Sequence, residues 1–330
     1  MDTAKKKINW GIMGPGSISS TFAKDLVYAD GAELIAVASR SSEKAKQFAD
    51  EHGIPRAYGS YDELVNDPDV DIVYVGTIHP LHKDQVLACL QAGKAVLCEK
   101  PFTINAAEAR EIARAAREQK LFIMEAMWTR FLPPIVKVRE WLQAGLIGEV
   151  KLVKADFGFD AGWNPEGRLL NKELGGGALL DAGIYPVSFA SMICGEQPSK
   201  IMSSAVIGET GVDEQFSPLF EYEGGRTAVL NGAIRLNMTN DAYVYGTKGH
   251  IHIPNFLFSR KATLHVNGEE PLDFCDDREI QGYKFEAEAA MDSLRAGQLE
   301  NEIMPIDETV QIMETMDQIR NMWGLRYPTE

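Results

Sequence analysis

A glycine turn constrains this chain more than any other feature. Gly11-Ile12-Met13-Gly14-Pro15-Gly16-Ser17-Ile18-Ser19 follows an apolar run, Ile8–Met13, and opens a stretch of helical character, Ser17–Tyr28. Its second half fits the G-x-G-x-x-G pattern of dinucleotide-binding βαβ units, with Ser19 at the third position, where a small residue keeps helix and strand close. Gly14 permits the tight turn, and Gly16 lets the backbone approach a pyrophosphate. The first helical turn, at Ser17 and Ile18, offers N–H groups and the positive end of the helix dipole to phosphate. Glycine turns are common, so the position of this one in the first strand–turn–helix gives it weight. The plainer alternative is a structural βα turn.

The residues that follow repeat the alternation. Glu33–Ala38, Val70–Val75, Ala95–Cys98 and Leu121–Met124 read as strands, and Glu43–His52, Leu81–Ala92 and Ala106–Gln119 as helices. Strands separated by helices of this length build βαβ units and a parallel sheet with right-handed crossovers. The pattern changes after Glu125. Helices at Pro133–Ala144 and Leu179–Met192 accompany strand-like Val150–Phe159, Ile201–Ile207, Gln215–Tyr222, Thr227–Ile234, Ala242–Tyr245, His250–Ile253 and Ala262–Val266. Turns such as Glu223-Gly224-Gly225 and Asn267-Gly268 separate these strands. Helices near Tyr283–Ala296 and Ile306–Trp323 close the chain. The expectation is an α/β Rossmann domain with a doubly wound parallel sheet over residues 1–125. An α+β domain with a large, mainly antiparallel, open-faced sheet follows over 126–330.

Composition narrows the function. The formal net charge of −15 repels nucleic acid and anionic membrane surfaces. No run of about 18 apolar residues is seen, so no membrane span is expected. The N-terminal lysines precede no apolar stretch of signal-peptide length. Cys89, Cys98, Cys194 and Cys275 form no CxxC pair, which suits reduced thiols packed in a cytoplasmic protein. His79 and His82 have metal-like spacing, but no cysteine or carboxylate cluster accompanies them, and no metal site is expected.

The end of the second strand selects between nicotinamide cofactors. An NAD site carries Asp or Glu there for the ribose 2′-hydroxyl. This chain reads Ala38-Ser39-Arg40-Ser41-Ser42 instead. Arg40 can make a bidentate contact to a 2′-phosphate and Ser39 can add a donor. NADP(H) is therefore preferred, with NAD(H) possible. Alternatively Arg40 is a solvated arginine, while Ser41 caps the next helix; the cap and the phosphate contact are compatible.

With these features in place the chain resembles the family of glucose-fructose oxidoreductase and inositol dehydrogenase, Gfo/Idh/MocA. The resemblance covers nearly the whole length. It is carried by the glycine turn, by Thr77-Ile78-His79-Pro80-Leu81-His82, by Glu99-Lys100-Pro101, and by Gly175-Gly176-Gly177-Ala178-Leu179-Leu180-Asp181-Ala182-Gly183-Ile184-Tyr185-Pro186. Glu125-Ala126-Met127-Trp128-Thr129-Arg130-Phe131 looks like the branch of dimeric dihydrodiol dehydrogenase and NADP-dependent D-xylose dehydrogenase. The resemblance implies that Lys100 lies beside the nicotinamide and the reacting hydroxyl. It implies that Tyr185 is the general acid/base and that Asp181, one helical turn earlier, positions substrate. Pro101 is expected after a cis peptide bond. His79 departs from the asparagine of many members. Thr77, His79, His82 and Glu99 join the expected cofactor contacts, and His82 is expected to line the cofactor pocket or cap the next helix.

The chemistry suits these residues. Hydride transfer to or from a carbinol carbon needs a proton partner. A free tyrosine ionises near pH 10, and a neighbouring ammonium favours its anion and the developing alkoxide. Trp128, Arg130, Phe159 and Arg168 are candidate substrate contacts, and Phe157 and Trp163 candidate aromatic neighbours. Plainer readings remain beside each: Lys100 as a surface lysine, Tyr185 as a core tyrosine, Phe157 and Phe159 as one face of a sheet, and the Met-rich last helix as packing. The functional expectation is an NADP-dependent dehydrogenase or reductase acting on a CH–OH group of a sugar, polyol or trans-dihydrodiol. A dinucleotide-binding sensor of the same fold, or a scaffolding subunit, are the alternatives. A homodimer through the open sheets is also expected, because a flat exposed sheet invites pairing.

Overall fold

Strands that are apolar along their whole length need cover on both faces. In the computed structural model, which describes residues 6–328 and Glu330, β1 (Ile8–Met13), β2 (Ala32–Ala38), β3 (Arg56–Tyr58), β4 (Ile72–Val75), β5 (Ala95–Glu99) and β6 (Ile123–Ala126) form a parallel sheet. The strand order is β3-β2-β1-β4-β5-β6. This is the dinucleotide-binding order, and the crevice for ligand opens where it reverses, between β1 and β4. Helices α1 (Ser17–Leu26), α2 (Ser42–His52), α3 (Tyr61–Val65), α4 (His82–Gln91) and α5 (Ala106–Gln119) connect the strands. Trp10, Ile12, Phe22 and Tyr74 are fully buried, with the Phe22 and Tyr74 rings stacked at 3.9 Å. Ser41 does cap α2, accepting from Lys44 N at 3.3 Å.

The chain divides into two compact units. One comprises Met1–Thr103, Ala107–Trp128 and Ile280–Val310; the other comprises Ile104–Ala106, Thr129–Glu279 and Gln311–Glu330. The sequence pattern placed everything after 125 in the second domain, but Ile280–Val310 belongs to the first. Its helix α8 (Tyr283–Arg295) starts at Gly282, which has no side chain to cap with. Asp25 supplies the cap from α1, accepting from Gly282 N at 2.6 Å and Tyr283 N at 2.8 Å. Downstream, Ile123 N at the start of β6 donates to Leu299 O at 3.0 Å.

The second unit is built on an eight-stranded sheet. Its strands are β7 (Val150–Gly158), β8 (Lys200–Ile207), β9 (Asp213–Glu221), β10 (Thr227–Ala233), β11 (Ala242–Gly246), β12 (Gly249–Ile253), β13 (Lys261–Val266) and β14 (Leu272–Cys275). The order is β14-β13-β12-β11-β7-β10-β9-β8, antiparallel except where β7 and β10 pair in parallel. One face alternates apolar and is buried: Val153, Ala155 and Phe157 of β7, Phe216 and Phe220 of β9, Val244 of β11. Helices α6 (Pro133–Gln143) and α7 (Ile184–Cys194) pack on this sheet. In the second-unit residues of α9 (Ile306–Met322), Met313 and Met316 are buried, as a packing role requires.

Three expectations need correction here. Strands β3 and β14 are present where only turns and loop were read. The stretch Lys172–Cys194 is long and apolar enough to cross a membrane, but its apolar part is mostly buried inside the protein. It is a core segment of the second unit, whose apolar character serves the sheet it packs on. Finally, His82 caps no helix through its side chain.

Candidate active site

The first unit gathers its marked residues on the loops that leave the carboxyl ends of β1, β2, β4 and β5. Gly14 has φ +92°, and a Cβ there would lie 2.5 Å from Thr77 Cγ2, so glycine is required where the β1 and β4 loops meet. Ser19 is buried and closes the turn by donating to Gly14 O at 2.6 Å. Gly16 occupies the cap position of α1, and no side chain caps it. This cradle fits a dinucleotide: close backbone, a helix N-terminus starting at Ser17 and Ile18, and no acidic residue.

At the end of β2, Ser39 is buried and its Oγ accepts from Ser41 N at 3.2 Å, while Arg40 projects to the surface. Arg40 meets the Tyr61 phenol. Burial pushes that phenol up, and the charge and hydrogen bond of Arg40 pull it back. Tyr61, which the sequence did not single out, therefore holds the arginine's flank.

The β4 and β5 loops are tied together by His82. The ring is fully buried, with Nδ1 3.0 Å from Pro101 O and 3.3 Å from Phe102 O, and Nε2 3.1 Å from Thr77 O. Burial lowers its pKa, the three carbonyls raise it in part, and the Lys100 ammonium lowers it again. His79 is also buried, its ring 5.9 Å from that of His82. Thr77 Oγ1 donates to Gln85 Oε1 at 2.5 Å. The Lys100–Pro101 bond is cis, as the resemblance implied.

Glu99 points into the unit. Its Oε1 accepts from Tyr74 Oη at 2.5 Å and its Oε2 from Lys100 N at 3.1 Å. It thus holds the backbone of Lys100. Glu286 of α8 is buried nearby, with neither oxygen hydrogen-bonded among the described residues. Burial, then the charges of Glu99 and Asp25, push its carboxyl well above the usual range. Only the fold reveals this buried acid.

The second unit holds the other set. Leu179–Gly183 is a π-helical turn that runs directly into α7. Such turns are rare and concentrate at functional sites. Asp181 lies in it and Tyr185 begins the regular helix; both are buried. Arg168 Nη1 donates to Asp181 Oδ1 at 2.7 Å. The Phe157 ring meets Tyr185 edge-on at 5.6 Å and 86°, and Phe159 follows at 5.6 Å from Phe157. Trp163 is exposed, with the Arg235 guanidinium 5.4 Å above its ring.

Two residues expected at substrate are packed into the fold. Arg130 is 2% exposed, and its Nε and Nη2 donate to Ser188 Oγ and O of α7 at 3.0 and 2.9 Å. Trp128 is buried in the first unit, stacked on Tyr283 at 4.6 Å. Both brace the fold at these contacts. Among the described residues no group of His, Cys, Asp and Glu has metal-site geometry.

A parallel sheet of this order, a glycine cradle at its switch point and a Lys–cis-Pro loop beside it define a nicotinamide-dinucleotide oxidoreductase. The comparisons narrow this. The model described as "Oxidoreductase family, NAD-binding Rossmann fold" matches residues 8–127, and the C-terminal domain model of the same family matches 135–252. The chain belongs to the Gfo/Idh/MocA family. A trans-1,2-dihydrobenzene-1,2-diol dehydrogenase of Xenopus laevis is 43% identical over 332 residues, covering 97% of this chain and 99% of the relative. The structure of an aldose-aldose oxidoreductase from Caulobacter crescentus, complexed with glycerol, is similar with TM-score 0.87 and 25% identity, covering 96% and 97% of the two chains. A 3-ketoreductase from Actinomadura kijaniata, complexed with NADP and TDP-benzene, gives TM-score 0.83 and 25% identity, covering 96% and 98%.

Proposed function

We propose that this oxidoreductase prefers NADP(H) and interconverts hydroxyl and carbonyl on a trans-dihydrodiol, with a polyol or sugar as the wider substrate class. The observation that carries the reading is the Asp181–Tyr185 pair on successive turns of one helical segment, with Arg168 on the acid and an aromatic wall beside the phenol. Tyr185 moves the proton of the reacting hydroxyl. Lys100, its backbone held by Glu99, supplies positive charge to the developing alkoxide. Asp181, oriented by Arg168, accepts a substrate hydroxyl. When bound, the cofactor supplies or takes the hydride. Ser17, Ile18, Thr77 and His79 complete its contacts, and Phe159 with Arg168 face substrate. The similarity to a dihydrodiol dehydrogenase over nearly the whole chain supports the substrate class.

The reading is tested by incubating the protein with NADP+ and trans-1,2-dihydrobenzene-1,2-diol, then with aldoses, and following reduced nicotinamide. Turnover of the diol above all aldoses is the expected result; no turnover of any of them would overturn it. The cofactor preference rests on Arg40. Arg40→Ala is expected to weaken NADPH binding by about 10- to 150-fold, the worth of a charged hydrogen bond of ~1.5–3 kcal/mol, and to leave NADH binding unchanged. Equal loss for both cofactors would remove Arg40 as the selector.

We also place the protein in the cytoplasm as a homodimer formed by the outer sheet faces. On that face Tyr243 and His252 stack at 4.3 Å, as do His250 and His265, and Met202, Val206 and Val229 are exposed. Such a face suits a second copy of itself. Sedimentation at micromolar concentration is expected to give a dimer that Val229→Lys and Val206→Glu together dissociate; a monomeric parent protein would refute this.

A further inference from the structure

Asp213, the first residue of β9, is 0% exposed and lies in none of the motifs that the sequence offered. Its Oδ2 accepts from Leu179 N at 2.6 Å. Leu179 opens the π-helical turn that carries Asp181 and leads to Tyr185, and Ala178 at its cap position makes no side-chain cap. A carboxylate from a distant strand therefore takes the place of the missing cap. The turn before it is fixed around the same group. Gly177 has φ +126°, and a Cβ there would fall 2.3 Å from Asp213 Oδ1. Tyr327 Oη donates to Gly176 O at 2.8 Å. Gly177 O accepts from Asp181 N at 3.2 Å. The backbone that aims Asp181 is thus held from two sides.

We propose that Asp213 is a positioning residue of the reaction: its carboxylate clamps the start of the segment bearing Asp181 and Tyr185 and sets where those side chains stand. The proposal rests on the roles given to Asp181 and Tyr185 above. Its consequence is a dependence on pH. Burial pushes the Asp213 carboxyl up to about 7, against the pull of the Leu179 N–H and its own backbone. Tyr327, from the C-terminal segment, is the ionisable neighbour whose own balance Asp213 enters; burial and then Asp213 push that phenol well up, and Arg320 pulls it down. Asp181 follows on the same segment, paired with Arg168. The sign is fixed by linkage: a raised folded pKa gives stability that is full below the unfolded value near 4 and lost as pH rises through about 7. The charged form that grips Leu179 N–H most strongly is the form that costs stability.

Two measurements test this. In wild-type protein, exchange of the Leu179 amide, measured relative to amides that exchange only on global unfolding, should show protection falling several-fold as pH drops from 8 to 6, because the Leu179 bond holds the carboxyl's pKa down and protonation in turn weakens that bond. Flat protection overturns the proposal without any variant. In the parent, kcat is expected to rise through about pH 7; in Asp213→Asn, kcat at pH 8 should fall about 10-fold and that rise should vanish, with NADPH affinity unchanged. A variant that loses rate but keeps that rise has lost structure only, and the proposal fails. If Tyr185→Phe turns over at the full rate, the catalytic reading fails instead, and the exchange result stands apart from it.

Discussion

Tyr185→Phe is expected to lower kcat by about 10²- to 10⁴-fold, the usual contribution of a positioned acid/base. The substitution is clean because the ring has a separate structural task. Tyr185 is 6% exposed and meets Phe157 edge-on, a contact that phenylalanine keeps. Thermal stability should stay within about 0.5–1.5 kcal/mol of the parent, the worth of one hydrogen bond. Binding of NADPH should not change, since the glycine cradle and Arg40 belong to the other unit. Lys100→Met should show a similar loss of kcat, with some loss of cofactor affinity. Steady-state kinetics beside a fluorescence titration separates these effects. Full turnover in either variant, with the fold intact, would remove that residue from the chemistry.

Much of this was legible before the structure. Strand β1 and helix α5 match their expected limits, because an apolar run before a glycine turn, or alanine-rich amphipathic spacing, is a local signal. The parallel and antiparallel halves follow from the same logic. What escaped has physical reasons. β3 spans three residues, Arg56–Tyr58, with a polar end, too short for any period to show. β14 is an exposed edge strand with only Leu272 and Phe274 to mark it. The return of Ile280–Val310 depends on Asp25, a residue whose long-range partners leave no trace in spacing. Arg130 reads as a substrate contact from its place near the domain junction; its hydrogen bonds to Ser188 of α7 leave no trace in the sequence. Asp213 is the sharpest case: an aspartate opening a strand looks like a turn residue until the fold carries it to Leu179.

Phe216→Ala is expected to destabilise the protein by about 3–5 kcal/mol. Phe216 of β9 is 1% exposed. A Cβ at Gly183 would fall 2.4 Å from its ring, and one at Gly232 of β10 would fall 2.2 Å from it. The ring thus fills the space that two glycines leave, one on the helical segment and one on the sheet. This explains why Gly183 follows Asp181 in the motif: the helix lies so close to the sheet that no side chain fits between. Alanine would leave a cavity that neither glycine can fill, and dense interiors collapse only in part around such voids. Because Gly183 stands between Asp181 and Tyr185, the loss should reach the chemistry as well, lowering kcat while NADPH affinity holds. Denaturant titration should show the midpoint shift with an unchanged slope. A loss below about 1 kcal/mol would mean that the segment settles onto the sheet without Phe216, and that its position is set by Asp213 and Arg130 alone.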